Sequence, residues 1–272
     1  LDVILAQKKD AFSSLTLIAI EAALLAGEIL KDGFGTQFEI SSKEGVHNLV
    51  TTYDRLCEEK IIELISQHIP SSYFLAEESG ITGTPADLIW IVDPLDGTVN
   101  FAHKIPLFSV SIAAEQNGEV VTGVVYQPMT QELFVAEKGK GAFLNGNPIR
   151  VSPVQTIKES ILATGFPYNL YKNPHDCIDH FIDILKSGIP IRRLGSAAID
   201  LAYTAAGRFE GYFEVELGAW DCAAGKLLVE EAGGQVTHWN GQPFEIRSRE
   251  PIFASNSLIH KAGCAILSRE IP

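Results

Sequence analysis

The residues of this chain with the clearest capacity for chemistry lie in Trp90-Ile91-Val92-Asp93-Pro94-Leu95-Asp96-Gly97-Thr98-Val99-Asn100-Phe101. An apolar run, read as a strand, feeds two carboxylates three residues apart. Pro94 fixes a bend and Gly97 permits a tight backbone, so Asp93 and Asp96 can point at one centre. Oxygen ligands of this kind suit a hard divalent cation such as Mg²⁺, and a turn can add a backbone carbonyl, here that of Leu95. The N–H groups of Gly97 and Thr98 could open a helix or nest that grips an anionic oxygen. The competing reading is a solvated Asp-rich turn that merely ends a strand. The apolar run before Asp93 and the Gly-Thr step after Asp96 favour the metal.

Two further acidic segments could join this pair. Ala76-Glu77-Glu78-Ser79 follows a strand-like run, Tyr73 to Ala76, and places Glu77 at a strand end. Glu214-Val215-Glu216-Leu217-Gly218-Ala219-Trp220-Asp221 brings Asp221 to the opening of a helix, where an acid is often only a cap. Alone, neither segment is specific.

The elements that must position these side chains read as follows. A long helix spans residues 8–33, with Ile18, Ala22, Leu25 and Ile29 as its apolar stripe. A second helix starts at Thr51 or Thr52 and runs to about His68, before Pro70. Strands are expected at 73–76, 88–92, 109–115, 120–126 and 132–137, with tight turns at Asn117-Gly118 and Asn145-Gly146. The first half therefore reads as two helices on a mainly antiparallel sheet. Beyond about Val154, strands (191–194, 211–215) alternate with helices (a start at Asn173-Pro174, then 196–206 and 221–232), which is an α/β pattern. The expected division is 1–154, an α+β half with most metal ligands, and 155–272, an α/β half that supplies Asp221 and substrate contacts.

Composition narrows the function. In 272 residues, 46% are apolar and 20% charged, which is globular, and the net charge of −13 disfavours nucleic acid or anionic membrane as a partner. It also requires a metal or a local positive pocket if the substrate is a phosphate. Cys57, Cys177, Cys222 and Cys264 form no CxxC pair and read as reduced thiols of a cytoplasmic protein. No segment reads as an export signal or a membrane span. Gly139-Lys140-Gly141 lacks phosphate-loop spacing and reads as a hairpin. His175 and His180 are five apart, off a shared helical face, and read as a capped, solvated helix start.

Taken together, Glu77, the WIVDPLDGTVNF run, the GSAA segment at Gly195 to Ala198 and the GAWDCAAGKLLVEEAGG run resemble the inositol monophosphatase family in order and separation. The resemblance covers nearly the whole chain. It implies an α/β (α+β) fold, a five-layered αβαβα sandwich of the inositol monophosphatase and fructose-1,6-bisphosphatase type. It implies Mg²⁺-dependent phosphomonoester hydrolysis with two to three ions per site, lithium sensitivity and homodimers. By matching positions, Glu77, Asp93 and the Leu95 carbonyl resemble ligands of a first metal, and Asp93, Asp96 and Asp221 those of a second. Thr98 and Glu77 resemble the pair that orients the attacking water, and Asp54 an acid that supports that water or a weaker third metal. The backbone of Gly97 and Thr98 would meet the phosphate, while Ala197, Glu214, Asp96 and Asp221 would contact the substrate.

The chemistry is coherent on its own terms, because cations can offset the charge with which a phosphate monoester repels nucleophiles. No Cys/His or Ser/His arrangement competes with it. The expected substrate is a small phosphorylated molecule, inositol monophosphate first. Fructose 1,6-bisphosphate, histidinol phosphate, NADP and 3′-phosphoadenosine 5′-phosphate stay open, as does a non-catalytic regulatory role on the same fold. Nucleic acid is not expected as a substrate, nor a membrane as a partner.

Overall fold

A computed structural model describes residues 11–42 and 48–269. Helix α1 (Ser14–Gly33) begins at a Ser13 cap, so the expected helix starts too early over residues 11–13, and its residues 8–10 lie outside the described part. Its buried stripe is Ala19, Ala22, Ala23, Ala26 and Leu30, whereas Leu25 faces solvent. Of the expected stripe, Ile18 and Ala22 are buried and Ile29 packs against the core, so only Leu25 departs from it. Strands β1 (Ile40–Ser42) and β2 (Leu49–Thr51) form a small antiparallel pair and lead into α2 (Thr52–His68).

An eight-stranded sheet follows. It comprises β3 (Tyr73–Ala76), β4 (Gly80–Gly83), β5 (Leu88–Asp96), β6 (Ser109–Gln116), β7 (Glu119–Gln127), β8 (Glu132–Glu137), β9 (Gly141–Leu144) and β10 (Asn147–Pro148). Its order is β10-β9-β8-β7-β6-β5-β3-β4, antiparallel throughout except for the parallel pair β3 and β5. Asn117 and Gly118 both have positive φ in the β6–β7 turn, as an Asn-Gly hairpin requires. Glu231 accepts the N–H groups of Gly139 and Gly141, both at 2.8 Å, and so clamps the β8–β9 hairpin.

A five-stranded sheet has the order β12-β11-β13-β15-β14, with β11 (Leu162–Thr164), β12 (Ile191–Arg192), β13 (Gly211–Glu214), β14 (Gln235–His238) and β15 (Ile252–Ser255). Between the two sheets lie α5 (Ala197–Ala205) and α6 (Ala219–Glu231); on the outer face of the smaller sheet lie α4 (Cys177–Lys186) and α7 (His260–Leu267). With α1 and α2 outside the large sheet, the order is αβαβα. The short α3 (Thr98–Ala102) sits at the end of β5.

Three apolar cores separate these layers. Trp90, Val92, Val110, Ile112, Val124 and Val135 face α1 and α2, while Ile91, Ala113, Val125 and Phe134 face α5 and α6. That alternation is the period of two of a pleated strand. Because both faces are covered, β5 reads as a continuous apolar run. Leu162, Phe213, Trp239 and Phe253 fill the third core against α4 and α7. His180 belongs there: it is buried and meets Trp239 edge-on at 4.7 Å, so the helix start expected to be solvated is covered at this position. No helix among the described residues is long and apolar enough to cross a membrane.

Candidate active site

Strand β5 does not stop at Val92 but continues through Asp96, with a bulge. Asp93 pairs with Ser111 and Asp96 with Ser109, so β5 uses one residue more than β6 over this interval. Pro94 has no N–H for the ladder, and the bulge absorbs it. Leu95 N–H donates to Asp93 Oδ1 at 3.0 Å and closes the turn. Gly97 follows with φ 98°, and an added Cβ would lie 3.0 Å from the Leu107 carbonyl, so only glycine serves there.

Glu77 reaches the same place by strand pairing. The parallel register matches Ala76 with Val92, so Glu77 and Asp93 leave adjacent strand ends side by side. Glu77 N–H donates to the Val92 carbonyl at 3.1 Å.

Asp221 arrives from α6, in the helix layer between the sheets. Helix α6 begins at Ala219, two residues earlier than expected, and Asp221 is its third residue rather than its opening one. It accepts the Gly218 N–H at 2.6 Å, which satisfies a free amide of the helix start. Asp93, Asp96 and Asp221 then offer oxygens that all lie within 4.8 Å of one another. Asp93 and Asp96 are buried and Asp221 is half-buried. Glu77 acts on Asp93 and Asp221 by its charge.

Burial and mutual repulsion leave these carboxylates able to hold a cation. Burial, then the charges of Glu77, Asp96 and Asp221, hold the Asp93 carboxyl well above the usual carboxylate range. Burial, then Asp96 and Glu77, does the same to Asp221. Burial raises Asp96 as well, opposed by hydrogen bonds from Ser196 Oγ and Ala198 N–H, both at 2.7 Å. These last two come from the start of α5, whose dipole favours an anion. Among the described residues, none of the three carboxylates has an ion pair. Three hard oxygen donors crowded at one point and short of positive charge fit Mg²⁺.

Behind them stands Asp54, the third residue of α2. Its Oδ2 accepts Thr51 N–H at 2.7 Å and Thr51 Oγ1–H at 2.6 Å; its Oδ1 accepts the Thr98 hydroxyl at 2.9 Å. Burial pushes Asp54 up to about 6, although these hydrogen bonds oppose it. The Leu95 carbonyl lies 3.1 Å from Thr98 Oγ1, so the hydroxyl has two acceptors for one proton.

Glu214, at the end of β13, feels the charge of Asp96, and Ala197 opens α5 beside Ala198, whose N–H donates to Asp96. Glu214 is buried, receives a short hydrogen bond from the Tyr212 hydroxyl and is pushed by burial up to about 7. A Cβ at Gly165 would fall 2.0 Å from Glu214 Oε2, so loop 165–171 passes directly over the Glu214 carboxylate. Asn169 Nδ2–H holds this loop to Glu216 at 2.9 Å. Although Tyr168 as a whole is exposed, crowding of its phenol end by protein, then the charges of Glu77, Asp96, Asp221 and Asp93, raise its phenol, so the loop stands within the field of the site. Asp200 was not legible in sequence. It is buried, its Oδ1 has no hydrogen-bond partner, and burial, then Glu214 and Asp96, raises its carboxyl. Inside an apolar helix, nothing in the sequence marks it. Cys222, next to Asp221, has its thiol pushed up by burial and by that carboxylate, which leaves it inert.

The model of the inositol monophosphatase family matches residues 12–271. The chain belongs to the inositol monophosphatase family. It is 41% identical over 266 residues to an inositol-1-monophosphatase of Rhizobium meliloti, covering 96% of this chain and 99% of that protein. It is 43% identical over 226 residues to Nus factor SuhB of Escherichia coli (strain K12), covering 82% of this chain and 85% of that one. The crystal structure of the extragenic suppressor protein suhB from Bartonella henselae matches with a TM-score of 0.89 at 39% identity, over 95% of this chain and all of that one (100%). Membership supports a phosphatase. The acidic trio draws Asp93 and Asp96 from the large sheet and Asp221 from α6 between the sheets.

Proposed function

We propose that the protein hydrolyses a phosphate monoester, inositol monophosphate by preference, with Mg²⁺ and water. The observation that carries this reading is the convergence of Asp93, Asp96 and Asp221 within 4.8 Å. Asp93, Glu77 and the Leu95 carbonyl would hold one ion, and Asp93, Asp96 and Asp221 a second. When bound, Mg²⁺ supplies positive charge against the phosphate oxygens and makes water more acidic.

The chain's own groups do the rest. Thr98 donates its hydroxyl hydrogen bond to Asp54, which leaves its lone pairs free to accept a hydrogen bond from the attacking water and so orient it. Glu77 takes the other side of that water. The N–H groups of Gly97 and Thr98 face the phosphate, and Ala197, Glu214, Asp96 and Asp221 line the alcohol's side. Loop 165–171, with Tyr168 exposed near the mouth, helps choose the alcohol. The reading carries with it lithium inhibition, a homodimer and a cytoplasmic setting, in keeping with four free thiols.

The test is kcat/KM with Mg²⁺ on inositol monophosphate, fructose 1,6-bisphosphate, histidinol phosphate, NADP and 3′-phosphoadenosine 5′-phosphate. Inositol monophosphate should lead; a clear lead by another substrate moves the assignment to it. The relative named Nus factor SuhB supports a second reading, a regulatory role on the same fold alongside catalysis.

A further inference from the structure

Glu58 lies on α2 one turn beyond Asp54, on the same helix face. It is 4% exposed. Its two carboxylate oxygens are divided between two consecutive backbone amides: Glu78 N–H donates to Oε2 at 2.8 Å and Ser79 N–H to Oε1 at 2.9 Å. Those amides open the β3–β4 turn, directly after Glu77. The Glu77 N–H is itself tied to Val92, the residue before Asp93. The backbone of Glu77 is thus pinned on one side to β5 and on the other to the helix that carries Asp54.

A surface hairpin can leave such amides to water, and burying a carboxylate to serve them costs desolvation. Charge-assisted bonds to both amides give a short, directional clamp in return. We infer that Glu58 is a positioning residue for Glu77: it fixes the turn that aims the Glu77 carboxylate at the Asp93 side of the metal site. The inference rests on the reading of Glu77 as a metal ligand. Partners that orient ligands in this way are worth roughly ten- to a hundredfold in metal affinity.

The test compares Glu58→Ala, Glu58→Gln and Glu77→Gln in the full chain. Mn²⁺ binding is followed by electron paramagnetic resonance without substrate, and turnover by Mg²⁺ titration. Amide exchange is measured at Glu78 and Ser79. Glu58→Ala should weaken Mn²⁺ about tenfold or more and raise the half-saturating Mg²⁺ by a similar factor. It should lower kcat with little change in KM and speed exchange at the two amides. Glu58→Gln, with one acceptor left, should fall between. If Glu58→Ala does not fold, Glu58→Gln decides, and wild-type Mn²⁺ affinity in the folded variant overturns the inference. Lost affinity in Glu77→Gln with wild-type affinity in both Glu58 variants overturns the role of Glu58 alone. Wild-type affinity in Glu77→Gln removes Glu77 as a ligand, and the inference with it.

Discussion

Asp54 and Asp221 occupy the same position in two different helices, the third residue of α2 and of α6. Each returns one carboxylate oxygen to the amide of the residue before its helix, Thr51 at 2.7 Å and Gly218 at 2.6 Å. A capping interaction is worth about 1 kcal/mol and needs no burial. Both carboxyls are nonetheless raised by burial, so capping does not account for where they are. Asp54 gives its other oxygen to Thr98, and Asp221 contributes an oxygen to the trio with Asp93 and Asp96.

Replacing Asp221 separates the two roles. Asn still accepts the Gly218 amide, so Asp221→Asn should keep the helix. In the metal-free protein it also removes one of three crowded charges, and melting should not fall. Without that charge, the site should bind its second Mg²⁺ weakly and turnover should drop at least about a hundredfold, roughly 2.7 kcal/mol. Thermal melting without metal, metal titration and phosphate release check this; wild-type turnover at ordinary Mg²⁺ would leave Asp221 as a cap.

Thr98 is expected to act through its hydroxyl rather than its methyl group. Thr98→Ala should lower kcat by roughly two orders of magnitude or more, the scale of a lost water-orienting group. Thr98→Ser, which can still reach Asp54, should stay within about tenfold of wild type. Equal losses in the two variants would point to packing around the buried side chain.

The raised carboxyls predict a linkage between pH and metal. Asp54 rises from 3.8 to about 6 and Glu214 from 4.5 to about 7 on folding, and Asp93 and Asp221 move in the same direction. The folded, metal-free protein therefore keeps protons that the unfolded chain has released. The stability these groups contribute is present at low pH and is lost as pH rises through about 4 to 7. Mg²⁺ binds the deprotonated cluster, so the rise in Tm on adding it should be larger near pH 8 than near pH 5. Equal rises, measured by melting at both pH values, would contradict this.

The apolar run of β5 and the Asn-Gly turns were legible because they rest on local rules, an unbroken apolar stretch and a turn that needs positive φ, whereas the expected end of β5, Val92, falls short of Asp96. The bulge from Asp93 to Asp96 was not legible, since it depends on the register with β6. Asp221 read as a helix opener because the two residues before it, Ala219 and Trp220, carry no capping signal. The stripe of α1 was misplaced only at Leu25, because spacing alone does not say where the buried face of a helix ends. Glu58 carried one signal, its separation of four from Asp54, but its partners are amides twenty and more residues away. Asp200 shows the same limit, as an acid enclosed by the meeting of two distant segments.

Glu214 should report on the alcohol. Glu214→Gln keeps size and a hydrogen bond to Tyr212 but removes the charge. It should lower kcat/KM for inositol monophosphate about tenfold, the order of one lost hydrogen bond to a charged group. A small aryl phosphate, with no hydroxyls to bind, should be hydrolysed as before. A parallel loss on both substrates, measured by initial rates, would move Glu214 from the alcohol to the phosphate side.

The central claim is that Asp93, Asp96 and Asp221 form a Mg²⁺ site that hydrolyses phosphate monoesters. Phosphate release from inositol monophosphate, followed as Mg²⁺ is added back to chelator-stripped protein, tests it most directly. The account predicts no turnover in excess EDTA, and activity that returns with Mg²⁺ and saturates. Full turnover in EDTA, or no phosphate released at any Mg²⁺ concentration from any monoester offered, would contradict it.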